Sequence, residues 1–260
     1  MTSIDLIKSY YPAAMAESAG FQKHLLKEYV QLLTLDFLSA TKHVRKLTFI
    51  GGTNLRLVKS IDRFSEDLDF DCKELSEQQF VVMADDVQRF LERSGFQVET
   101  RERQNKRLTA FQRNLYFPEL LFEMGLSGHR NARFLLKLEA QDQQVAYETK
   151  TEYIKGCGFF FPFPVPTDAV MCSMKIAAML GRHKGRDYYD AIFLLSQTEP
   201  DYSFLAARCG IHDKEELKTA VFKSLEAVDL RLKQHDFEHL LFHRENSRRI
   251  LNFAEFIRAL

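Results

Sequence analysis

Two aspartates, Asp67 and Asp69, stand one residue apart in the run DLDFD, with Leu68 and Phe70 alternating between them. In an extended chain alternate side chains point the same way, so the two carboxylates share one face and the two apolar groups the other. Carboxylates this close repel one another. A divalent cation relieves the repulsion, and Mg2+ held by one or two carboxylates together with substrate phosphates is a common arrangement for phosphoryl and nucleotidyl transfer. A plain edge strand with its aspartates toward water has the same spacing. Upstream, an apolar strand runs into Gly51-Gly52-Thr53 and a helix follows. Two glycines there let the backbone approach a bound group, and amides at a helix start favour phosphate; the same turn also serves as an ordinary connection. Glu139, in KLEA, is a candidate third carboxylate because Leu136 and Leu138 occupy the opposite face, although Lys137 and Glu139 equally read as an ordinary polar face.

A second group lies in MKIAAMLGRHKGRDYYDAIFLL. Lys175 and Arg182 are two helical turns apart and so share a face, where two cations could grip phosphates. Arg186 and Asp187 follow a glycine-containing break, and Asp187 and Asp190 lie on one side of the next helix. A solvated helical hairpin with internal ion pairs is the other reading of this segment.

The elements that must position these groups follow from periodicity. Strands are expected over 47–52, 67–71, 96–103, 109–117 and 133–140. Phe80, Ala84, Val87 and Leu91 recur at helical spacing ahead of Gly95, which predicts a helix ending at that glycine. A leading helix over 21–40 carries Leu25, Tyr29, Leu32, Leu33 and Phe37 on one stripe and is expected to pack on the later helical part. The stretch GCGFFFPFPVP holds three prolines, cannot continue a helix and reads as the crossing between two halves. Beyond it the pattern is helical only, ending in Ile250, Phe253, Ile257 and Leu260. The expected division is therefore 1–165 and 166–260.

The 260 residues are 45% apolar and 28% charged, a balance that fits a globular protein and excludes fibres and disorder. Lys and Arg number 36, as do Asp and Glu, so no global field draws the chain to nucleic acid or membrane. Contact with RNA would need a local patch, for which Arg101, Arg103, Lys106, Arg107 and Arg113 are candidates, with His243, Arg244, Arg248 and Arg249 near the end. Cys72, Cys157, Cys172 and Cys209 form no C-x-x-C pair, which argues against a zinc site or disulfide framework and predicts buried thiols. The start of the chain, with Asp5 and no long apolar run, does not look like a secretory signal, and a cytoplasmic protein with no membrane span is expected.

Four ordered blocks give the chain a specific resemblance: Gly51-Gly52-Thr53-Asn54-Leu55-Arg56, Arg63-Phe64-Ser65-Glu66-Asp67-Leu68-Asp69-Phe70, Lys175-Ile176-Ala177-Ala178 and Arg186-Asp187-Tyr188-Tyr189-Asp190. Together these resemble the nucleotidyl transferase AbiEii/AbiGii toxin family. The resemblance implies an α+β fold, with a nucleotidyltransferase (polymerase-β-like) core built on a small mixed sheet and a mostly helical C-terminal half. It implies Mg2+ or Mn2+ on Asp67 and Asp69, and a nucleoside triphosphate held by Gly51, Gly52 and Thr53 with Arg56, Arg63, Ser65 and Arg182. Lys175 and Asp187 or Asp190 would complete the site, with Glu139 as a further carboxylate. The implied reaction is in-line attack of an acceptor hydroxyl on the α-phosphate with loss of pyrophosphate. Family members act as toxins of bacterial toxin–antitoxin and phage-defence systems, some on the 3′ end of tRNA, which implies RNA and a cognate antitoxin as partners. The alternatives are a phosphotransferase acting on a protein or small molecule and a non-catalytic nucleotide-sensing module.

Overall fold

The computed structural model of the chain describes residues 2–100 and 110–260. It divides into a sheet unit, Met1–Ser60, Phe64–Gln143 and Thr151–Val165, and a helical unit, Ile61–Arg63, Gln144–Lys150 and Pro166–Leu260.

The sheet unit opens with helices α1 (Ile4–Ser9), α2 (Ala13–Ala16) and α3 (Ala19–Ser39). Strand β1 (Leu47–Ile50), helix α4 (Gly51–Leu57), strand β2 (Asp67–Cys72) and helix α5 (Glu77–Arg93) follow. Then come β3 (Glu99–Thr100), β4 (Phe111–Tyr116), the short helix α6 (Leu120–Glu123), β5 (Leu135–Gln141), β6 (Thr149–Gly156) and β7 (Phe159–Pro166). The first five strands form one sheet in the order β1-β2-β5-β4-β3, in which only β2 and β5 run parallel. Alternation fixes its faces. Leu68, Phe70, Leu136, Leu138 and Ala140 are buried on one side, where α3 packs on β5 and α5 on β4. Helix α5 starts at a capping box in which Ser76 and Gln79 bond each other's backbone, and it stops before Gly95, whose φ is +91°.

Four expectations need correction. Helix α3 belongs to the sheet unit, packed on α5 and β5, because its apolar stripe marks which face is buried but not what covers it. The proline-rich stretch is not a bare crossing, since β7 pairs with β6 as a two-stranded sheet. Pro162, Pro164 and Pro166 alternate, so their missing N–H groups fall on one side of a strand that is paired on the other side only. Among the cysteines only Cys72 and Cys172 are buried; Cys157 is half-buried and Cys209 exposed, with all four free. Arg113 is likewise buried and paired with Asp85 of α5 at 3.3 Å, so it is not part of a basic surface patch. Of the strand expected over 96–103, β3 is the part within the described residues; Arg101, Arg103, Lys106 and Arg107 lie outside them.

The helical unit contains α7 (Asp168–Arg182), α8 (Gly185–Leu195), α9 (Tyr202–Cys209), α10 (Lys214–Leu225), α11 (Leu230–His235) and α12 (Phe253–Ala259). The link from α7 to α8 turns through His183 in the left-handed region, φ +50°. Gly185 then lies against the backbone of α11, where a side chain would collide with the Lys233 carbonyl. Ile250, Phe253 and Ile257 are all buried, the first in a 3-10 segment, Arg244–Asn252, ahead of α12. Among the described residues no helix is long and apolar enough to cross a membrane.

Candidate active site

The polar face of the five-stranded sheet gathers the first group of chemical residues. Asp67 pairs in register with Lys137 and Asp69 with Glu139 across the parallel β2–β5 ladder. Period-two alternation therefore puts all four side chains on the side opposite Leu68, Phe70, Leu136 and Leu138. Lys137 Nζ lies 3.3 Å from Asp67 Oδ2 and 2.8 Å from Glu139 Oε2. Burial would lower the Lys137 pKa, but the hydrogen bond to Glu139 and the charges of Asp67, Glu139 and Asp69 outweigh it and hold the ammonium charged. Asp71, the third acid of β2, is buried and accepts a 2.9 Å hydrogen bond from the Gln143 amide, a structural task.

The glycine turn meets this face directly. Ile50 pairs with Asp69, so the next residue, Gly51, emerges beside the Asp69 carboxylate. Gly51 has φ +81°, and a methyl group placed on it would collide with that carboxylate. Both conformation and space thus demand glycine. Gly51→Ala is expected to destabilise the protein by about 1–2 kcal/mol from the left-handed backbone alone, while Gly128→Ala, where nothing lies within 4 Å of the added methyl, is the control. Paired thermal melts check the difference.

The remaining motif residues of the sheet unit hold this turn and strand in place. Thr53 is buried, and its hydroxyl donates to the Asp67 carbonyl, tying the start of α4 to the start of β2. Asn54 donates to the Phe49 carbonyl at 2.8 Å. The Ser65 carbonyl accepts from Gln31 Nε2 at 3.1 Å. Arg56 makes a two-point pair with Glu28 of α3, Nε to Oε2 at 2.7 Å and Nη2 to Oε1 at 3.1 Å. Tyr11 donates to the same Glu28 at 3.1 Å, which recruits the N-terminal segment to the motif arginine.

In the helical unit the second group forms a buried ion cluster. Asp190 is 0% exposed and receives Arg63 in a bidentate fork, Nε to Oδ1 and Nη2 to Oδ2, each at 2.7 Å. Lys175 Nζ joins from α7 at 2.9 Å from Oδ2. Burial alone would raise the Asp190 carboxyl; Arg63 and then Lys175 override it and bring its pKa down to about 2. Enclosed in this way, Asp190 holds the Arg63 guanidinium and the Lys175 ammonium in place. Asp187 is also enclosed and takes a bidentate pair from Arg182, Nε to Oδ2 at 2.8 Å and Nη2 to Oδ1 at 2.6 Å. Asp62 pins the segment next to Arg63, accepting from the Tyr189 hydroxyl at 2.6 Å and Asn246 Nδ2 at 2.8 Å. Arg244, Arg248 and Arg249 are all exposed, and Arg249 also donates to that Tyr189 hydroxyl at 3.2 Å. The roles of Asp62 and Glu28 have no signal in the motif spacing; a charged residue set within the buried stripe of α3 is the mark that could have singled out the second.

The donor set suits a hard divalent cation. Asp67 and Asp69 offer carboxylate oxygens on one face, and the Lys137 ammonium beside Asp67 and Glu139 shows that this face accommodates positive charge. Among the described residues no group of three or more His, Cys, Asp or Glu side chains is arranged to hold a metal.

The profile of a family described as "Nucleotidyl transferase AbiEii toxin, Type IV TA system" matches residues 34–255. Among solved structures, the chain is similar to MenT4, nucleotidyltransferase toxin Rv2826c from Mycobacterium tuberculosis H37Rv, at 19% identity and a TM-score of 0.60, covering 100% of this chain and 91% of the other. It is also similar to JHP933 from Helicobacter pylori, at 19% identity and a TM-score of 0.52, covering 91% and 92%. At these identities the structural likeness speaks to the fold. No curated protein matches the chain by sequence.

Proposed function

The chain belongs to the nucleotidyl transferase AbiEii toxin family, and on that premise we propose that it moves a nucleoside monophosphate from a nucleoside triphosphate to the 3′ hydroxyl of an RNA such as tRNA. In the cell it would act as the toxin of a toxin–antitoxin pair. The observation that carries the reading is the meeting of Gly51 with the Asp69 carboxylate, since it brings the turn suited to phosphate and the paired acids to one place. In the reaction the acceptor oxygen forms a bond to the α-phosphorus as the bond to the pyrophosphate oxygen breaks, and pyrophosphate leaves with the electron pair. Asp67 and Asp69 would hold Mg2+ or Mn2+, which when bound neutralises charge on the phosphate oxygens. Gly51 and Gly52 would let the backbone of the turn approach the triphosphate. By the family resemblance alone, Lys175, whose ammonium lies 2.9 Å from Asp190, would offset charge on the triphosphate.

The test is incubation of the protein with Mg2+, total bacterial RNA and each α-labelled nucleoside triphosphate, with Asp67→Asn alongside. Label in tRNA-sized material from the unmodified protein alone is the expected result. Transfer from γ-labelled nucleotide instead would replace this reading with phosphoryl transfer.

A further inference from the structure

Glu139 stands where the polar face of the sheet offers a third carboxylate, yet what engages it is a cation of its own strand. Lys137 Nζ lies 2.8 Å from Glu139 Oε2 and 3.3 Å from Asp67 Oδ2. The first separation is that of a full charge-assisted hydrogen bond and the second is slack, so the ammonium is held more firmly by Glu139 than by Asp67. At 24%, 28% and 31% exposure, the side chains of Lys137, Asp67 and Glu139 are open to an ion arriving from solvent.

The register gives the lysine two places to rest. Lys137 faces Asp67 across the parallel ladder, Glu139 faces Asp69, and all four side chains lie on one side of the sheet. Glu139 is also two residues from Lys137 along β5, so the ammonium can leave the acid across the ladder and keep the one beside it. Asp67, Asp69 and Glu139 do not form a group of three arranged to hold a metal.

We propose that Glu139 is a positioning residue that acts through Lys137: it retains the ammonium when a divalent cation takes the Asp67 oxygen, and it is not itself a ligand of the metal. The inference rests on the nucleotidyl-transfer reading, in which Asp67 and Asp69 bind Mg2+ or Mn2+, and gives the third carboxylate a task of its own. At equal distance a doubly charged ion attracts a carboxylate about twice as strongly as an ammonium does. With Glu139 to keep it, the displaced ammonium is never left without an anion.

Mn2+ binding, read from the electron paramagnetic resonance of the free ion without nucleotide or acceptor, is measured for the unmodified protein, Lys137→Met, Glu139→Gln and the double variant. Lys137→Met is expected to bind Mn2+ about fivefold or more tightly than the unmodified protein, because Asp67 no longer has to be vacated. Glu139→Gln is expected to bind it about fivefold or more weakly, since the ammonium then falls back on Asp67. In the Lys137→Met background the effect of Glu139→Gln should shrink at least about threefold, because the residue it acts through is gone. Thermal melts check that each variant is folded, and Lys137→Gln repeats the series if Lys137→Met is not. No gain on replacing Lys137 overturns the inference, as does no loss in Glu139→Gln. An effect of Glu139→Gln as large without Lys137 as with it also overturns the inference and makes Glu139 a metal ligand; all three results leave the transfer reading intact. No Mn2+ bound by the unmodified protein or by the lysine variants overturns the metal assignment of that reading together with the inference.

Discussion

Asp69→Asn is expected to abolish metal-dependent transfer, with a loss on the order of 10³-fold or more in turnover, and Asp67→Asn to do nearly the same. The amide keeps the shape of the carboxylate, so the packing of Asp69 against Gly51 survives while the anionic oxygen donor is lost. Because each variant also removes one of several negative charges on this face, the melting temperature should hold or rise, which separates a lost ligand from a lost fold. Lys137 retains Glu139 as a partner at 2.8 Å in either variant. Rates measured across Mg2+ concentrations, beside a thermal melt, give the answer; unchanged rates in both variants would remove the carboxylate pair from the mechanism.

Asp190→Asn should act in the opposite way, through stability first. Its carboxylate compensates Arg63, 1% exposed in its side chain, and Lys175, 7% exposed. Removing the shared anion takes from two buried cations the carboxylate that compensates them, and breaking a buried pair in this way costs about 3–5 kcal/mol. Urea unfolding checks the loss, and adding Lys175→Met to Asp190→Asn should restore part of it, since one of the two buried positive charges disappears. The pH dependence has a definite sign. The Asp190 carboxyl is depressed to about 2 in the folded protein from an ordinary value of 3.8, so its contribution is fully present above pH 4 and is lost as pH falls through 2. In Asp190→Asn this part of the acid limb should vanish. A variant as stable as the unmodified protein would mean that Arg63 and Lys175 find other partners.

The α+β class and the family were legible in the sequence because their signals are local. Alternation in DLDFD and LLKLEA marks strands and their faces within a few residues, and the four motif blocks are read in order along the chain. The glycine turn was legible as a place where backbone comes close to something, although what first comes close is the Asp69 carboxylate of this chain. What stayed hidden are contacts between distant segments. Helical spacing put Asp187 and Asp190 on one side of α8, yet the fork on Asp190 comes from Arg63, 127 residues earlier. Prolines at 162, 164 and 166 masked β7, because their effect depends on which edge of a strand is paired, and that depends on the partner. Glu28 was submerged in an apolar stripe for a similar reason: a periodicity argument averages over a helix face and passes over the exceptions.

The bridge made by Lys137 bears on how such an enzyme waits. Asp67 and Asp69, one residue apart on β2, and Glu139, opposite Asp69 on β5, are like charges that would repel one another on this face if no cation lay among them. A lysine rooted in the neighbouring strand serves as a permanent resident counterion, so dormancy and integrity are separate matters for this chain. On the proposed reading, an arriving divalent cation would have to compete with this tethered one for the oxygens of Asp67.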